Sequence, residues 1–398
     1  MRVFPRQDHK LFTEETLKDI LAELCNGKSV EVLGWNFGEA SAKGDGYLSV
    51  VNRIQIRGNI DGVQRDVSVV VKSLPQNIGR RKTFRSTDFF KNEIAVYSIV
   101  KIGQSQLLSV PRLLAFVEDG ENDFIALEDA RTLGFGPISR LSSINAEQCS
   151  LILKTMARFH AISFAYKDQK EDEFSQLKNV LIETYLGNFI IVGFLNIRFF
   201  IRIYYLNIYT RFLRYSLSRP PVRTLPHNTL SLVRLLLFRS QGDAWAPNFL
   251  VRNTDKGEEA LILDFQMARC ASPVLDISFC LYSCTDKKFR DESFDAMLKI
   301  YHDELANAIT LLGSDPQKLY SWDTFMKEEK FFFGMAWATE GVQYAILDES
   351  EVADFDTLIS GDEAVDIADV CLLENIKTQA GRRRLADIIA HAVENGFL

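Results

Sequence analysis

The chain has 398 residues, of which 47% are hydrophobic and 25% are charged, and its formal net charge is −7. This length suits two domains or one two-lobed enzyme, and the composition is that of an ordinary globular protein. Proteins that bind nucleic acid nonspecifically usually carry a basic excess, so the acidic balance argues against nucleic acid as a partner. The six cysteines show no Cys-x-x-Cys pair, and the five histidines are scattered. These patterns favour free thiols in the reducing cytoplasm and give no zinc motif.

The first 130 residues predict a small antiparallel sheet with one or two helices. Residues 13–27 are expected to form the first helix, because Thr13 can cap its start and Gly27 can end it. Three runs rich in β-branched residues predict strands, with turns where Gly and Asp cluster, and two later runs are further strand candidates. The predicted strands are residues 30–33, 47–56, 67–71, 110–116 and 124–127, the turns are residues 44–46 and 58–62, and a second helix is residues 88–100.

The remainder of the chain is predicted to be mostly helical. Asn145 and Gln148 form a possible capping box for one of the helices. The charged run at residues 167–173 is interpreted as a solvated linker. Residues 243–264 predict a loop, a strand, a turn and a second strand. The expected helices are residues 145–164, 275–284, 291–312, 322–345 and 378–395.

Residues 184–240 do not fit this pattern, because residues 195–209 within them are apolar on every face and the whole segment contains no acidic residue. Their most apolar run, residues 189–209, is interrupted by Arg198 and Arg202, and its uncharged part is shorter than the roughly 20 residues of a spanning helix. We therefore expect no stable membrane insertion. Two interpretations stay open: a buried helix pair followed by a proline-rich loop, or an artefact of the gene model such as a translated intron. A contiguous mature transcript through these codons would contradict the second interpretation.

Three polar residues, in and after the loop that is predicted to begin at residue 243, could act together chemically. Asp243 and Asn248 lie in the loop, and Asp264 follows the apolar strand that ends at Leu263. A carboxylate can orient an acceptor hydroxyl for in-line attack, while a carboxamide and a second carboxylate can bind Mg²⁺. Phosphoryl transfer needs mainly positioning and charge neutralisation, which this set can provide. The alternative is that each residue only caps a turn or ends a strand.

A lysine and a glutamate upstream extend this set of three residues. Lys72 ends a predicted strand, where its ammonium could reach phosphate oxygens, and Glu93 on the next predicted helix could pair with it. Gly44 and Gly46 could place backbone N–H groups over phosphates, although a plain hairpin turn is equally compatible with them. Glu128 follows the predicted strand at residues 124–127, at a position where a hinge backbone could bind adenine.

One histidine is expected to be structural. His160 lies on the predicted helix at residues 145–164 among apolar residues, and a helix of this kind buries one face. We therefore favour a packed histidine over a catalytic one.

Several short motifs together resemble the ecdysteroid-kinase-like family, also called CHK-kinase-like, within the choline kinase and aminoglycoside phosphotransferase superfamily. The family pattern is His-Gly-Asp-x-Trp-x-x-Asn, then Ile-Asp-Phe-Gln, then Pro-x-x-Asp-Leu. The matching stretches here are Gly242-Asp-Ala-Trp-Ala-Pro-Asn248, Leu263-Asp-Phe-Gln-Met-Ala-Arg269 and Ser272-Pro-Val-Leu-Asp-Ile-Ser278, and the surroundings of Lys72, Glu93, Leu127 and His160 match in order.

The resemblance implies an α+β, bilobal protein-kinase-like fold with a sheet-containing N-terminal lobe at residues 1–130 and a mostly helical C-terminal lobe at residues 131–398. It further implies ATP and Mg²⁺ as cofactors and a small-molecule alcohol, ecdysteroid-like or choline-like, as substrate, with xenobiotic alcohols also open. The oligomeric state is not readable. The implied roles are phosphate binding by Lys72, pairing with it by Glu93, catalytic base for Asp243, metal binding by Asn248 and Asp264, and bracing of the catalytic loop by Asp276.

One residue departs from the family pattern. The histidine that precedes Gly-Asp in the family, and that the resemblance implies braces the metal-binding turn, is Gln241 here. A glutamine can replace part of its hydrogen bonding. The alternative function is therefore a catalytically impaired, kinase-like binding protein.

Overall fold

The computed structural model describes residues 12–39, 49–102, 107–139, 143–178, 180–182, 238–328, 358–359, 361–366 and 379–397. Its strands are β1 Val30–Glu39, β2 Val50–Ile60, β3 Val63–Ser73, β4 Leu113–Val117, β5 Phe124–Glu128, β6 Gly136–Pro137, β7 Phe238–Ser240, β8 Phe249–Thr254, β9 Gly257–Ile262 and β10 Arg269–Ala271. Its helices are α1 Glu14–Leu24, α2 Ile78–Phe84, α3 Ser86–Ile102, α4 Ala146–Gln169, α5 Glu171–Lys178, α6 Val274–Cys284, α7 Lys287–Leu311, α8 Pro316–Tyr320, α9 Trp322–Met326 and α10 Gln379–Glu394. The predicted α+β class, with an antiparallel sheet followed by a mostly helical part, is confirmed.

The N-terminal sheet has five antiparallel strands in the order β1-β2-β3-β5-β4. Its two faces differ because side chains alternate along each strand. Ile54 and Val69 oppose each other and are buried against Leu17 and Ile20 of α1. Lys72 therefore lies on the other face of the sheet, the face turned away from α1.

Helix α1 begins where its sequence predicts, but it ends at Leu24, three residues before the predicted end at Gly27. The Thr13 hydroxyl accepts a hydrogen bond from the Thr16 N–H, which satisfies one of the free donors of the first turn. Asn26 and Gly27 adopt positive φ angles of 57° and 74°, which reverse the chain into β1. The helix buries Leu17, Ile20 and Leu21 on the sheet.

The helical part surrounds one continuous apolar core. Helix α4 starts with the predicted capping box, in which the side chain of Asn145 accepts from the Gln148 N–H and the Gln148 side chain accepts in return. Helices α4 and α7 pack along each other, and the core extends to Phe90 and Tyr97 of α3. This shared core joins α3 to helices α4, α6 and α7 of the helical part.

Several predicted boundaries are wrong. Gly58 is not in a turn but inside β2, where an added Cβ would lie 2.5 Å from a Leu21 methyl carbon, so glycine allows α1 to approach the sheet. The turn is limited to Asp61 and Gly62. Helix α2 was not predicted, and the charged run at residues 167–173 belongs to α4 and α5, with only Lys170 between them.

Some predictions concern residues outside the described part of the chain. These are the Gly44 and Gly46 turn, the apolar run at residues 189–209, and the part of the predicted helix at residues 322–345 that follows residue 328. Among the residues described, no helix combines the length and the apolar character needed to cross a membrane. The five described cysteines are all free thiols.

Candidate active site

The loop that carries Asp243 is anchored through its backbone to a buried carboxylate. Asp276, in the first turn of α6, accepts hydrogen bonds from the Gln241 N–H at 2.6 Å and from the Gly242 N–H at 3.0 Å. Just before this loop, β7 pairs with β10. Gly242 has a φ of +90°, and a Cβ there would lie 2.0 Å from the Met267 carbonyl oxygen. Only glycine fits this position, which brings the loop against the segment after Asp264.

His160 also forms a hydrogen bond with the Asp276 carboxylate. Its Nε2 lies 3.0 Å from Asp276 Oδ2, and its Nδ1 lies 2.7 Å from the Tyr301 hydroxyl. All three side chains are buried. This hydrogen-bonded chain joins α4, α6 and α7 beneath the loop, and it agrees with a structural histidine.

Asn248 folds back onto Asp243. The Asn248 Nδ2 donates to the Asp243 carbonyl oxygen at 2.8 Å and to its carboxylate Oδ2 at 2.9 Å. A short 3₁₀ turn, Ala246–Asn248, makes this return possible, with Pro247 suited to a helical start. No hydrogen bond within the described residues uses Asn248 Oδ1, so that oxygen is the atom available to a cation.

Asp264 follows β9 in the left-handed region, with a φ of 58°. This conformation costs a non-glycine residue on the order of 1 kcal/mol or more, so its surroundings must hold it. The Gln241 Nε2 donates to the carbonyl oxygens of Leu263 at 3.0 Å and of Asp264 at 2.6 Å. The Phe265 ring then packs at 5.3 Å from the rings of both Tyr97 and Phe159.

Lys72, Glu93 and Asp264 meet at the junction of the sheet and the helical part. Lys72 Nζ lies 2.7 Å from Glu93 Oε2 and 3.1 Å from Asp264 Oδ1. Glu93 is completely buried, whereas the side chain of Asp264 is 30% exposed. The structure therefore brings together the predicted lysine and glutamate and places the carboxylate that follows β9 beside them.

Burial and mutual repulsion shape the protonation of the site. Burial, and then the charge of Asp264, raise the pKa of Asp243 to about 7 despite the Asn248 hydrogen bond. Burial disfavours the Lys72 ammonium, but the carboxylates of Asp264 and Glu93 outweigh that effect and raise the pKa of Lys72. Lys72 is therefore cationic at neutral pH, and Asp243 is suited to accept a proton near neutrality.

A second ion pair, which the sequence did not reveal, lies on the same face of the sheet as Lys72. Arg53 of β2 opposes Val70, two residues before Lys72. Arg53 Nε donates to Asp129 Oδ2 at 2.7 Å, and the Ser68 hydroxyl donates to the same oxygen at 2.6 Å. A cavity of about 500 Å³ opens beside these residues. Strand alternation from Lys72 could have placed Ser68 on this face, but not Arg53, because the strand register was unknown.

Glu128 ends β5, one residue beyond the end of the predicted strand, and its side chain is turned away from Lys72. Glu128 opposes Val69, which packs against α1, and its carboxylate lies 3.7 Å from an Arg112 nitrogen. Its backbone N–H donates to the Arg112 carbonyl. The Glu128 carboxylate therefore lies on the face of the sheet opposite to Lys72, and Gly44 and Gly46 lie outside the described residues.

The available oxygen donors fit a magnesium ion. Mg²⁺ binds carboxylate and carbonyl oxygens and usually retains water molecules and phosphate oxygens in its shell. Asp264 offers a partly exposed carboxylate, and Asn248 offers its amide oxygen. In the described part of the chain, no three or more His, Cys, Asp or Glu side chains group so that they could hold a metal. A site with two protein ligands, one of them an asparagine, is not of that kind.

The chain is similar in overall fold to several solved small-molecule kinases. An ethanolamine kinase of Plasmodium vivax is 10% identical, with a TM-score of 0.39 over 92% of this chain and 83% of that one. A microcompartment-associated aminopropanol kinase is 8% identical, with a TM-score of 0.40 over 95% of this chain and 97% of that one. An aminoglycoside phosphotransferase of Streptomyces rimosus is 11% identical, with a TM-score of 0.33 over 74% and 96%.

The chain also matches the model of a protein family. No curated protein is significantly similar to the chain. The model of the ecdysteroid kinase-like family matches residues 43–196 and 240–314, which are more than half of the chain. The first part contains Lys72 and Glu93, and the second contains Asp243, Asn248 and Asp264. Residues 197–239, between the two parts, fall within the segment whose composition is unusual. The chain belongs to the ecdysteroid kinase-like family.

Proposed function

We propose that the protein is an ATP-dependent phosphotransferase that phosphorylates a hydroxyl group of a small molecule. The observation that carries this proposal is the contact of Lys72 with both Glu93 and Asp264, next to the hydrogen-bonded pair of Asp243 and Asn248. Protein kinases require the corresponding lysine–glutamate ion pair and metal-binding aspartate for transfer. In this proposal residues 1–130 form the nucleotide-binding lobe, and residues 131–398 carry the catalytic loop and the acceptor site.

Asp243 is proposed to orient the acceptor and receive its proton. The acceptor oxygen forms a bond to the γ-phosphorus of ATP, the bond from that phosphorus to the bridging oxygen breaks, and ADP leaves. The hydroxyl proton passes to the Asp243 carboxylate. A base with a pKa of about 7 is matched to this task near neutral pH. Asn248 holds the carboxylate in direction through its bond to Oδ2.

Three further groups are proposed to hold the nucleotide. Lys72, directed by Glu93, binds phosphate oxygens, and Gly44 and Gly46 offer backbone N–H groups to the phosphates. The side chain of Glu128 faces α1, so the adenine-binding role is proposed for the backbone beside this residue and not for its carboxylate. Asn248 and Asp264 would hold Mg²⁺, which neutralises phosphate charge when it is bound.

The proposed acceptor is an ecdysteroid-like or choline-like alcohol in the cytoplasm. The name of the matching family denotes an ecdysteroid kinase, which supports a small alcohol as the acceptor.

An alternative function is a kinase-like binding protein without catalysis, which the Gln241 departure favours. The three hydrogen bonds that the Gln241 side chain makes to the loop and to the metal-binding turn weigh against this alternative. A thermal-shift titration separates the two in part, because a ligand at about 100 times its Kd adds about 2.7 kcal/mol of stability. No shift with millimolar Mg·ATP would favour the binding protein.

A panel of alcohols with γ-labelled ATP tests the enzyme directly. Ecdysteroids, choline, ethanolamine and simple xenobiotic alcohols are incubated with the wild-type protein and with Asp264→Ala. We expect labelled product from at least one alcohol with the wild type and none with the variant. Equal ATP turnover by the two proteins on every responsive alcohol would refute the assignment.

A further inference from the structure

Gln241 is fully buried, and every polar atom of its side chain is hydrogen-bonded to the backbone of the site. Its Nε2 donates to the carbonyl oxygens of Leu263 and Asp264 at 3.0 and 2.6 Å. Its Oε1 accepts from the Asp243 N–H at 2.8 Å. One side chain therefore bridges the loop of the proposed base and the turn of the proposed metal ligand.

The bridge uses a capacity that a histidine lacks. A carboxamide has two N–H donors and an acceptor oxygen, whereas a neutral imidazole has one donor and one acceptor, and an imidazolium has two donors and no acceptor. A histidine at this position could satisfy at most two of the three backbone groups. The departure from the family pattern thus adds a bond to the bridge instead of removing one.

The Gln241 side chain also forms hydrogen bonds where the backbone is strained, at Asp264. Asp264 is held at a φ of 58°, and its carbonyl oxygen receives the shorter of the two Nε2 bonds. The Asp243 loop is fixed from below by Asp276, but the Asp243 N–H itself is bonded to Gln241. Losing the side chain would leave all three backbone groups of the site without this partner.

We propose that Gln241 is the positioning residue that sets Asp243 relative to Asp264, and that it does so more completely than a histidine can. This inference rests on the proposed phosphotransferase function. It gives the Gln241 substitution a role in forming the active geometry and makes catalytic impairment the wrong interpretation of it.

Gln241→Met tests the proposal, since methionine keeps nearly the same volume and removes all three bonds. We expect kcat to fall about 10- to 100-fold, because small misplacements of reacting groups cost factors of this size. The Mg²⁺ concentration for half-maximal activity should rise, while KM for the alcohol changes little. Gln241→His should recover part of kcat, because an imidazole can serve two of the three groups.

Gln169→Met is the matched control. The Gln169 Nε2 also donates to a carbonyl oxygen, that of Leu312 at 2.7 Å, but it lies at the end of α4, away from the site. This variant should keep the wild-type kcat and Mg²⁺ dependence. Gln241→Met with wild-type kcat and Mg²⁺ dependence, or Gln241→His more active than the wild type, would overturn the proposal.

Amide hydrogen exchange decides the question even if no alcohol is phosphorylated. The Asp243 amide should exchange faster in Gln241→Met than in the wild type, and it should stay protected in Gln169→Met. Unchanged protection in Gln241→Met would overturn the bridge itself. A wild-type protein that transfers no phosphate but shows the expected exchange would instead overturn the proposed function.

Discussion

Lys72 on strand β3 and Asp264 after strand β9 form a contact of 3.1 Å between the ammonium and the carboxylate. Glu93 approaches the same ammonium at 2.7 Å, so one cation joins the sheet, helix α3 and the turn that follows β9. Lys72 and Glu93 are both buried, and each requires the other because a buried charge without a partner is strongly destabilising. This junction of ion pairs therefore holds Lys72, the proposed phosphate-binding group, beside Asp264, the proposed metal ligand.

Replacing the lysine of this junction should impair both transfer and folding. In Lys72→Met the Glu93 carboxylate stays buried without its cation, which costs about 3–5 kcal/mol of stability. We expect kcat/KM for ATP to fall about 100-fold or more, because a preorganised cation is lost from the phosphates. Lys28→Met, which removes an exposed lysine 3.6 Å from Asp61, is the control and should behave as the wild type. Undiminished kcat/KM in Lys72→Met would contradict the role of Lys72.

The anchoring of the Asp243 loop predicts a large stability effect at Asp276. Asp276→Ala removes the acceptor of two backbone N–H groups and a partner of His160, so we expect a loss of about 3–5 kcal/mol in urea unfolding. Asp286→Ala removes one capping bond at the start of α7 and should cost about 1 kcal/mol. Equal losses in the two variants would show that Asp276 does not anchor the loop.

A pair of glycines separates backbone strain from lack of space. Gly242 and Gly257 both have positive φ angles, of 90° and 114°, but only Gly242 has an atom within 4 Å of its missing Cβ. Gly257→Ala should therefore cost about 1 kcal/mol of unfolding free energy through strain alone. Gly242→Ala must also displace the Met267 backbone and should cost about 3 kcal/mol or more. Similar costs for the two substitutions would contradict the close approach at Gly242.

The C-terminal helix predicts a loss of stability in mild acid. Burial, and then the nearby charge of Arg290, lower the pKa of His391 to about 4, with Asp291 and Lys287 also acting on the ring. His391 therefore binds a proton near pH 6.5 in the unfolded chain, but only near pH 4 in the folded chain. The stability from the neutral ring is fully present above pH 6.5 and is lost as the pH falls through about 4.

Urea unfolding at two pH values measures this effect. Between pH 7.5 and 4.5 the wild type should lose on the order of 2 kcal/mol through His391, and His391→Phe should lose correspondingly less. The phenylalanine ring would keep the packing against Phe294 and Phe397, although the Tyr282 hydroxyl would lose its partner. An identical acid sensitivity in both proteins would contradict the buried neutral histidine.

Much of this architecture was predictable because it depends on local signals. The cap at Thr13, the capping box at Asn145, and the loop, strand and turn around Asp243 to Asp264 each depend on residues close in sequence. The pairing of Lys72 with Glu93 was also foreseen, since the lysine ends a strand and the glutamate lies on the following helix. The functional roles of these residues stay predictions.

The remaining features depend on contacts between residues that are distant in sequence, which local sequence patterns do not predict. Gly58 reads as a turn residue until α1 is packed against β2. Arg53 joins the Lys72 face only through the register of β2 on β3, and its bond to Asp129 depends on where β5 ends. The three bonds of Gln241 require Asp264 to adopt the left-handed conformation, which no local pattern predicted.

The most direct test of the account compares the wild-type protein with Asp243→Asn on an alcohol that the wild type phosphorylates. Asparagine keeps the size of the side chain but cannot take up the hydroxyl proton. Both proteins should bind Mg·ATP with similar affinity in calorimetry, while the rate of phosphate transfer in the variant falls by about 100-fold or more. A transfer rate in Asp243→Asn equal to that of the wild type would contradict the central claim that this loop performs phosphoryl transfer.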